Sequence, residues 1–175
     1  VFMGGGEGLQ SAIERIFMKR KSITFILLTL LFFSATAWAG VTTSQVAELY
    51  VATFNRAPDA GGLNFWVNTS GLTIEQIAKE FFKAPETQIK YPEGTTDAEF
   101  VNTIYQNVFG RDTEPEGLDY WVNVLGNGWS CRDEMIMTVI EGARNKDLQV
   151  LHNKTDVGLY YAEEVGENHV DGNPL

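Results

Sequence analysis

The residues able to do chemistry gather in two turns. Asp112-Thr113-Glu114-Pro115-Glu116-Gly117 places three carboxylates at alternate positions before a glycine, which is how a calcium loop begins. The full calcium loop needs an acidic residue at its last position, where this chain has Asn123, and an apolar one where it has Asp119. The companion turn, Ala57-Pro58-Asp59-Ala60-Gly61-Gly62, has Ala57 and Gly61 where oxygens would be required. Calcium is therefore not expected, and the turns read as solvated loops in which Asp59 and Glu114 pair with Arg56 and Arg111. Glu114 and Glu116 are also a carboxylate pair of the kind used in glycoside hydrolysis. That chemistry needs one carboxyl kept protonated by a dry pocket, which a Pro/Gly turn does not build.

Other reactive types are sparse. His152 and His169 share no HExxH motif and no third ligand, so no metal site is expected. Cys131 follows Ser130, the expected first residue of a helix, where the dipole lowers a thiol pKa. A cysteine nucleophile would need His152 beside it, and an idle thiol is the simpler expectation. Trp66 and Trp121 could stack on sugar rings, but aromatics at helical spacing beside Leu and Val read as core. Trp129 stands in a Gly-rich connector and is expected to be the more exposed contact.

The elements that carry these residues recur. Residues 49–68 (LYVATFNRAPDAGGLNFWVN) align without a gap on 104–123 (IYQNVFGRDTEPEGLDYWVN), 55 positions later. Tyr50/Tyr105, Phe54/Phe109, Arg56/Arg111, Gly62/Gly117, Leu63/Leu118, Trp66/Trp121, Val67/Val122 and Asn68/Asn123 are identical. Such a period must be seen before elements are assigned. Each unit reads as three short helices. Phe100, Val101, Ile104, Tyr105, Val108 and Phe109 share one helical face, as do Val46, Leu49, Tyr50, Thr53 and Phe54. Thr96 with Glu99, and Thr73 with Gln76, read as capping boxes. Arg56 and Arg111 are expected to close the first helices at the negative end of the dipole. The second helices are aromatic: Leu63, Phe65, Trp66 and Val67, or Leu118, Tyr120, Trp121 and Val122. The third starts at Thr73 and ends at Pro85, with Ile74, Ile77, Ala78, Phe81 and Phe82 inward. Its counterpart is expected to start at Ser130, with Asp133 three residues on and Met135, Ile136, Val139 and Ile140 as core. A last helix is expected between Asp156 and Glu164. No stretch alternates for long enough to demand a strand. The expected fold class is all-α, a duplicated three-helix unit of six to seven helices behind a cleavable signal peptide. The expected domains are one helical domain over 40–164, with repeats at 44–86 and 97–145, and a tail or the start of a further region at 165–175.

The signal peptide is expected over 18–39. Lys19, Arg20 and Lys21 precede an apolar run from Ile23 to Phe33, then the small-residue site Ala37-Trp38-Ala39. The run is short of the ~20 residues a spanning helix needs, so no membrane span is expected after cleavage. Residues 1–17 are expected to be an over-extended reading frame, with the start at Met18. The whole chain has 175 residues and a formal net charge of −10, from 13 basic and 23 acidic residues. Removing residues 1–39 takes away 4 basic and 2 acidic residues and leaves a net of −12 over 40–175. Acidity argues against nucleic acid as a partner. With 1 cysteine in the chain, no internal disulfide forms.

The two aligned segments resemble the Tyr…Phe…Arg-x-Pro-Asp…Gly-Leu-x-Tyr-Trp signature of the bacterial domain-of-unknown-function family 4214, which phycobilisome linker polypeptides share in related form. The stretch from Leu151 to Ala162 is similar to that family's Asn-Lys-x-x-Val-x-x-Tyr-Tyr-Ala ending. The resemblance implies a helical module of exported bacterial proteins, found beside surface-layer, adhesin-like and calcium-repeat regions and linked to cell-surface polysaccharide. It implies no catalytic residues and no cofactor. The chain departs from it at Asp112-Thr113, where the Arg-x-Pro-Asp pattern is partly lost. The expected function is a secreted, periplasmic or cell-surface interaction module for attachment or assembly, with a polysaccharide or a protein as partner. Its interaction candidates are Trp129, Asp59, Arg56, Arg111, Glu114 and Asp119. The signature residues Tyr50, Phe54, Gly62, Leu63, Trp66, Tyr105, Phe109, Gly117, Leu118 and Trp121 are expected to be structural. The alternative is a carbohydrate-acting hydrolase using Glu114 and Glu116.

Overall fold

The structure is a computed structural model and describes residues 40–164. The expected reading frame at 1–17, the signal peptide at 18–39, the tail at 165–175 and His169 lie outside the described residues.

Among the described residues the protein is all-α, with eight α-helices, one π-helical turn and no strand. The helices are α1 (Thr43–Phe54), α2 (Ala60–Asn64), α3 (Ile74–Lys83), α4 (Pro85–Lys90), α5 (Asp97–Phe109), α6 (Pro115–Gly126), α7 (Arg132–Gly142) and α8 (Asn145–Glu164). The π-helical turn, Phe65–Thr69, continues α2.

Local sequence sets most boundaries. Thr42, Thr73 and Thr96 each accept a hydrogen bond from a backbone N–H three residues on, and Gln45, Gln76 and Glu99 return one to the threonine N–H. These reciprocal caps satisfy donors that the first turn of a helix leaves free. α1 ends at Asn55 (φ 54°) and α5 at Gly110 (φ 67°), both left-handed. The third helix of the first unit stops before Pro85 as expected, but a further helix, α4, follows at once, which brings the helices to eight rather than six to seven. Pro85 forces the residue before it into extended backbone (ψ 143°) and then serves as the first residue of α4.

Two expectations need correcting. α7 starts one residue later than Ser130 and Asp133 suggested: Cys131 holds the cap position and its N–H donates to Glu134 Oε2 at 3.2 Å. The last helix is not confined to 156–164 but runs unbroken from Asn145. Its buried positions are Leu151, Thr155, Gly158 and Ala162, at helical spacing but mostly small or hydroxylated, so the apolar pattern is faint. The Thr155 hydroxyl donates to the Leu151 carbonyl at 2.9 Å. At Gly158 the helix comes close to the first turn: a Cβ there would sit 3.5 Å from Pro58 Cδ and 3.6 Å from Ala57 Cα.

α1 lies in the middle. From Val46 onward every residue except Glu48 is buried, and the helix meets α3, α4, α5, α7 and α8. A helix surrounded this way can be apolar on all faces. Phe100, Ile77, Ile104, Met135 and Ile136 are the bulkiest fully buried side chains around it, and Leu49 is its own. Of the polar side chains buried in this packing, Asn107 joins two helices. Asn107 of α5 donates from Nδ2 to the Ala52 carbonyl at 2.8 Å and to Tyr91 Oη at 3.4 Å, and Tyr91 Oη donates to the Thr53 carbonyl at 2.8 Å.

Replacing Asn107 with alanine removes this bridge between α1 and α5 and leaves a small void. The expected cost is about 1–3 kcal/mol, seen as a lower urea midpoint with an unchanged slope. An unchanged midpoint would show that the bridge does not hold the two helices together.

Candidate functional site

The two turns are built alike, and their arginines do not close the preceding helices as the dipole argument expected. Each guanidinium reaches a carboxylate far along the chain. Arg56 forks onto Glu86 of α4, Nε to Oε1 and Nη2 to Oε2, both at 2.7 Å. Arg111 forks onto Asp147 of α8, Nε to Oδ1 at 3.0 Å and Nη2 to Oδ2 at 2.7 Å. The remaining Nη1 donates to the next residue's carbonyl, Ala57 at 2.9 Å or Asp112 at 3.0 Å. Aromatic rings of the preceding helix lie beneath each guanidinium carbon. Tyr50 and Phe54 have centroids 4.9 and 5.4 Å from that of Arg56, and Tyr105 and Phe109 are both 5.6 Å from that of Arg111. Planar fork geometry and ring stacking are what arginine offers and lysine does not.

Lysines take the place at the dipole ends. Lys90 of α4 donates to the Phe54 carbonyl of α1 at 2.9 Å, and Lys154 of α8 donates to the Asn107 carbonyl of α5 at 2.6 Å. α4 thus supplies both the anion for Arg56 and the cation for the end of α1. α8 does the same for Arg111 and α5. Burial pushes both lysines below the usual ammonium range, with Glu86 opposing the shift at Lys90.

The electrostatics follow from these contacts. Burial disfavours the Arg56 cation, but the Glu86 carboxylate more than offsets it and the pKa lies above its ordinary value. Hydrogen bonds from Arg111 hold Asp147 below the usual aspartate range. Glu114 is also held low, by its own backbone N–H and by Arg111 Nη1 at 2.7 Å. A general acid needs the opposite shift. Glu116 is exposed.

The other candidates divide between scaffold and surface. Asp59 does not pair with Arg56; its Oδ1 accepts from the Gly62 N–H at 2.6 Å and starts α2. Gly62 is needed there, because a Cβ would lie 2.6 Å from Tyr50 Oη. Gly117 is less confined, its nearest neighbour being Thr113 Cγ2 at 3.1 Å. Tyr50, Phe54, Leu63, Phe109 and Trp121 are buried, and Trp66, Tyr105 and Leu118 are half-buried against the same core. Trp66 packs on Phe81 at 5.4 Å, and Trp121 Nε1 donates to Tyr105 Oη at 3.2 Å.

Asp112 accepts from Gln106 at 2.7 Å, while Asp119 is exposed and offers its carbonyl to Asn123 at 2.9 Å. Among the described residues no three His, Cys, Asp or Glu side chains come together. Cys131 lines a groove of about 390 Å³ between α3 and α7, with Leu72, Gln76, Lys79, Glu80, Lys83 and Asp133. His152 is exposed on α8. Trp129 follows Gly128 (φ 68°) and is 75% exposed.

Glu86, Asp147, Lys90 and Lys154 escaped the sequence reading. Glu86 and Asp147 carry no local mark, since their partners lie 30 and 36 positions away. Phe65 and Tyr120 are exposed rather than buried. Their outward direction was legible, because Leu63, Trp66 and Val67 at helical spacing leave position 65 facing away.

Residues 78–149 match the family model described as Domain of unknown function (DUF4214). The matched segment begins inside α3, contains α4 to α7 and ends near the start of α8. It holds the whole Arg111–Asp147 pair, but only the Glu86 half of the first pair. No curated protein and no solved structure matches the chain.

The Asp147 shift has a pH signature. A depressed carboxyl pKa contributes stability that is complete above the unfolded value of about 4 and drains away as pH falls through the lower folded value. The urea midpoint is therefore expected to fall in acid. Asp147→Asn should lower it at neutral pH and flatten the acid decline. Equal acid slopes for the two proteins would remove Asp147 as a source of the effect.

Proposed function

Taking residues 78–149 as a domain of the DUF4214 family, we propose that the protein is an exported, non-enzymatic helical interaction module. It serves cell-surface attachment or assembly, and its ligand is a polysaccharide or a partner protein. One observation carries this reading. The arginines of the turns are engaged in holding helices together, whereas the large side chains open to water include aromatic rings: Trp129, Tyr120, Tyr160 and Phe65. Aromatic residues are enriched where proteins meet their partners, and reactive carboxyls need pockets and raised pKa values.

Further features support the parts of the proposal. The basic, apolar and small-residue layout of 18–39 supports export through a cleaved leader. Among the described residues no helix is long and apolar enough to cross a membrane. The 55-position correspondence, with an arginine over two rings in each copy, supports a duplicated three-helix unit. The acidic balance supports a partner other than nucleic acid.

The protein recovered from an exporting host is expected to begin at Gly40 and to bind purified surface polysaccharide or surface protein without degrading it. Trp129→Ala should weaken binding roughly tenfold or more, the size of a buried aromatic anchor, while leaving the thermal midpoint unchanged. Oligosaccharide cleavage that disappears in Glu114→Gln would overturn the reading in favour of a hydrolase.

A further inference from the structure

We infer that Phe65 and Tyr120 are two equivalent stacking platforms for the pyranose rings of a neutral glycan. The inference rests on the interaction-module reading and names its ligand. The two residues occupy the same place in the two aligned segments, 55 positions apart. Both are open to water, Phe65 at 46% and Tyr120 at 59%. Each is braced edge-on by the tryptophan that follows it. Phe65 meets Trp66 at 4.9 Å and 73°, and Tyr120 meets Trp121 at 5.1 Å and 70°. The tryptophans are anchored in turn, Trp66 on Phe81 and Trp121 on Tyr105. Each outer ring is thus in T-shaped contact with a tryptophan that packs on the core.

The surroundings select the ligand. Phe65 is flanked by Asn64 and Asn68, whose side chains bond to each other at 2.9 Å and are both exposed. Tyr120 has exposed Asp119 and Asn123 beside it on α6. A protein partner is best served by a contiguous apolar patch or groove. A lone ring bordered by amides and carboxylate suits a sugar, whose apolar C–H face lies flat on the ring while hydroxyls at its rim meet the polar side chains. The net charge of −12 over 40–175 repels polymers of acidic sugars and so favours a neutral glycan. The chain is irregular at the first platform: Phe65 opens the π-helical turn, with the Ser70 N–H donating to its carbonyl at 2.8 Å. Such turns are frequent at functional sites.

The test is a titration of the exported protein with short neutral oligosaccharides of glucose, galactose, mannose and N-acetylglucosamine, with uronic-acid oligosaccharides in parallel. Expected are two sites per chain for at least one neutral series, one site in Phe65→Ala or Tyr120→Ala, and none in the double variant. Both rings are exposed, so the thermal midpoints should stay together; the milder Phe65→Leu and Tyr120→Leu, which remove the flat ring but keep apolar volume, repeat the test if an alanine variant unfolds. Neutral glycan bound equally well by the double variant, or a preference for the uronic acids, would overturn the inference and leave the module reading standing. So would binding of a surface protein with no glycan binding. Absence of any binding, with turnover of the oligosaccharides, would overturn both.

Discussion

A helix that ends inside a folded protein leaves carbonyls without partners, and α1 and α5 both end against other elements. The structure meets this need with a crossed exchange of charge. α4 gives Glu86 to Arg56 and Lys90 to the Phe54 carbonyl. α8 gives Asp147 to Arg111 and Lys154 to the Asn107 carbonyl. Each arginine in turn holds the first carbonyl of its turn and lies over two rings of the helix it follows. Turn, helix end and closing helix are therefore fixed by one set of contacts. Exposed ion pairs contribute little on their own. These are forked, stacked on aromatic rings and partly buried, and their chief effect is to set where α4 and α8 lie.

The long last helix depends on the same exchange. Asp147 and Lys154 both lie on α8, and the helix continues past them, burying Thr155, Gly158 and Ala162 and bringing Gly158 against the first turn. Small side chains let its backbone come close to Ala57 and Pro58. Large apolar residues on that face would hold it off and part the charges from their partners. α1, packed among α3, α4, α5, α7 and α8, can then be buried from Val46 onward at every position but Glu48.

The arginines and two of the carboxylates of the turns are taken up by contacts within the fold. The acidic turns look reactive as a sequence, but Glu114 is held as an anion by Arg111 and by its own amide, and Asp59 is a helix cap. Among the large side chains that face solvent, Phe65 and Tyr120 each contact a tryptophan that packs on the core.

Local features were legible without coordinates. The all-α class, the boxes at Thr73 and Thr96, the stop at Pro85, and the inward Leu63 and Trp121 all depend on residues within a turn or two of one another, which spacing reports directly. The register of α7 and the reach of α8 were not. In the first, two polar residues compete for one cap position. In the second, the buried face is made of residues that carry no hydrophobic signal. The sequence by itself determined the all-α class, the helices other than α4 and the first half of α8, and most of the inward faces. Only the tertiary structure decided which carboxylate each arginine meets and which lysine closes each helix. A charge can pair with any opposite charge, and the choice is made by the packing that brings residues 30 and 36 positions apart into contact.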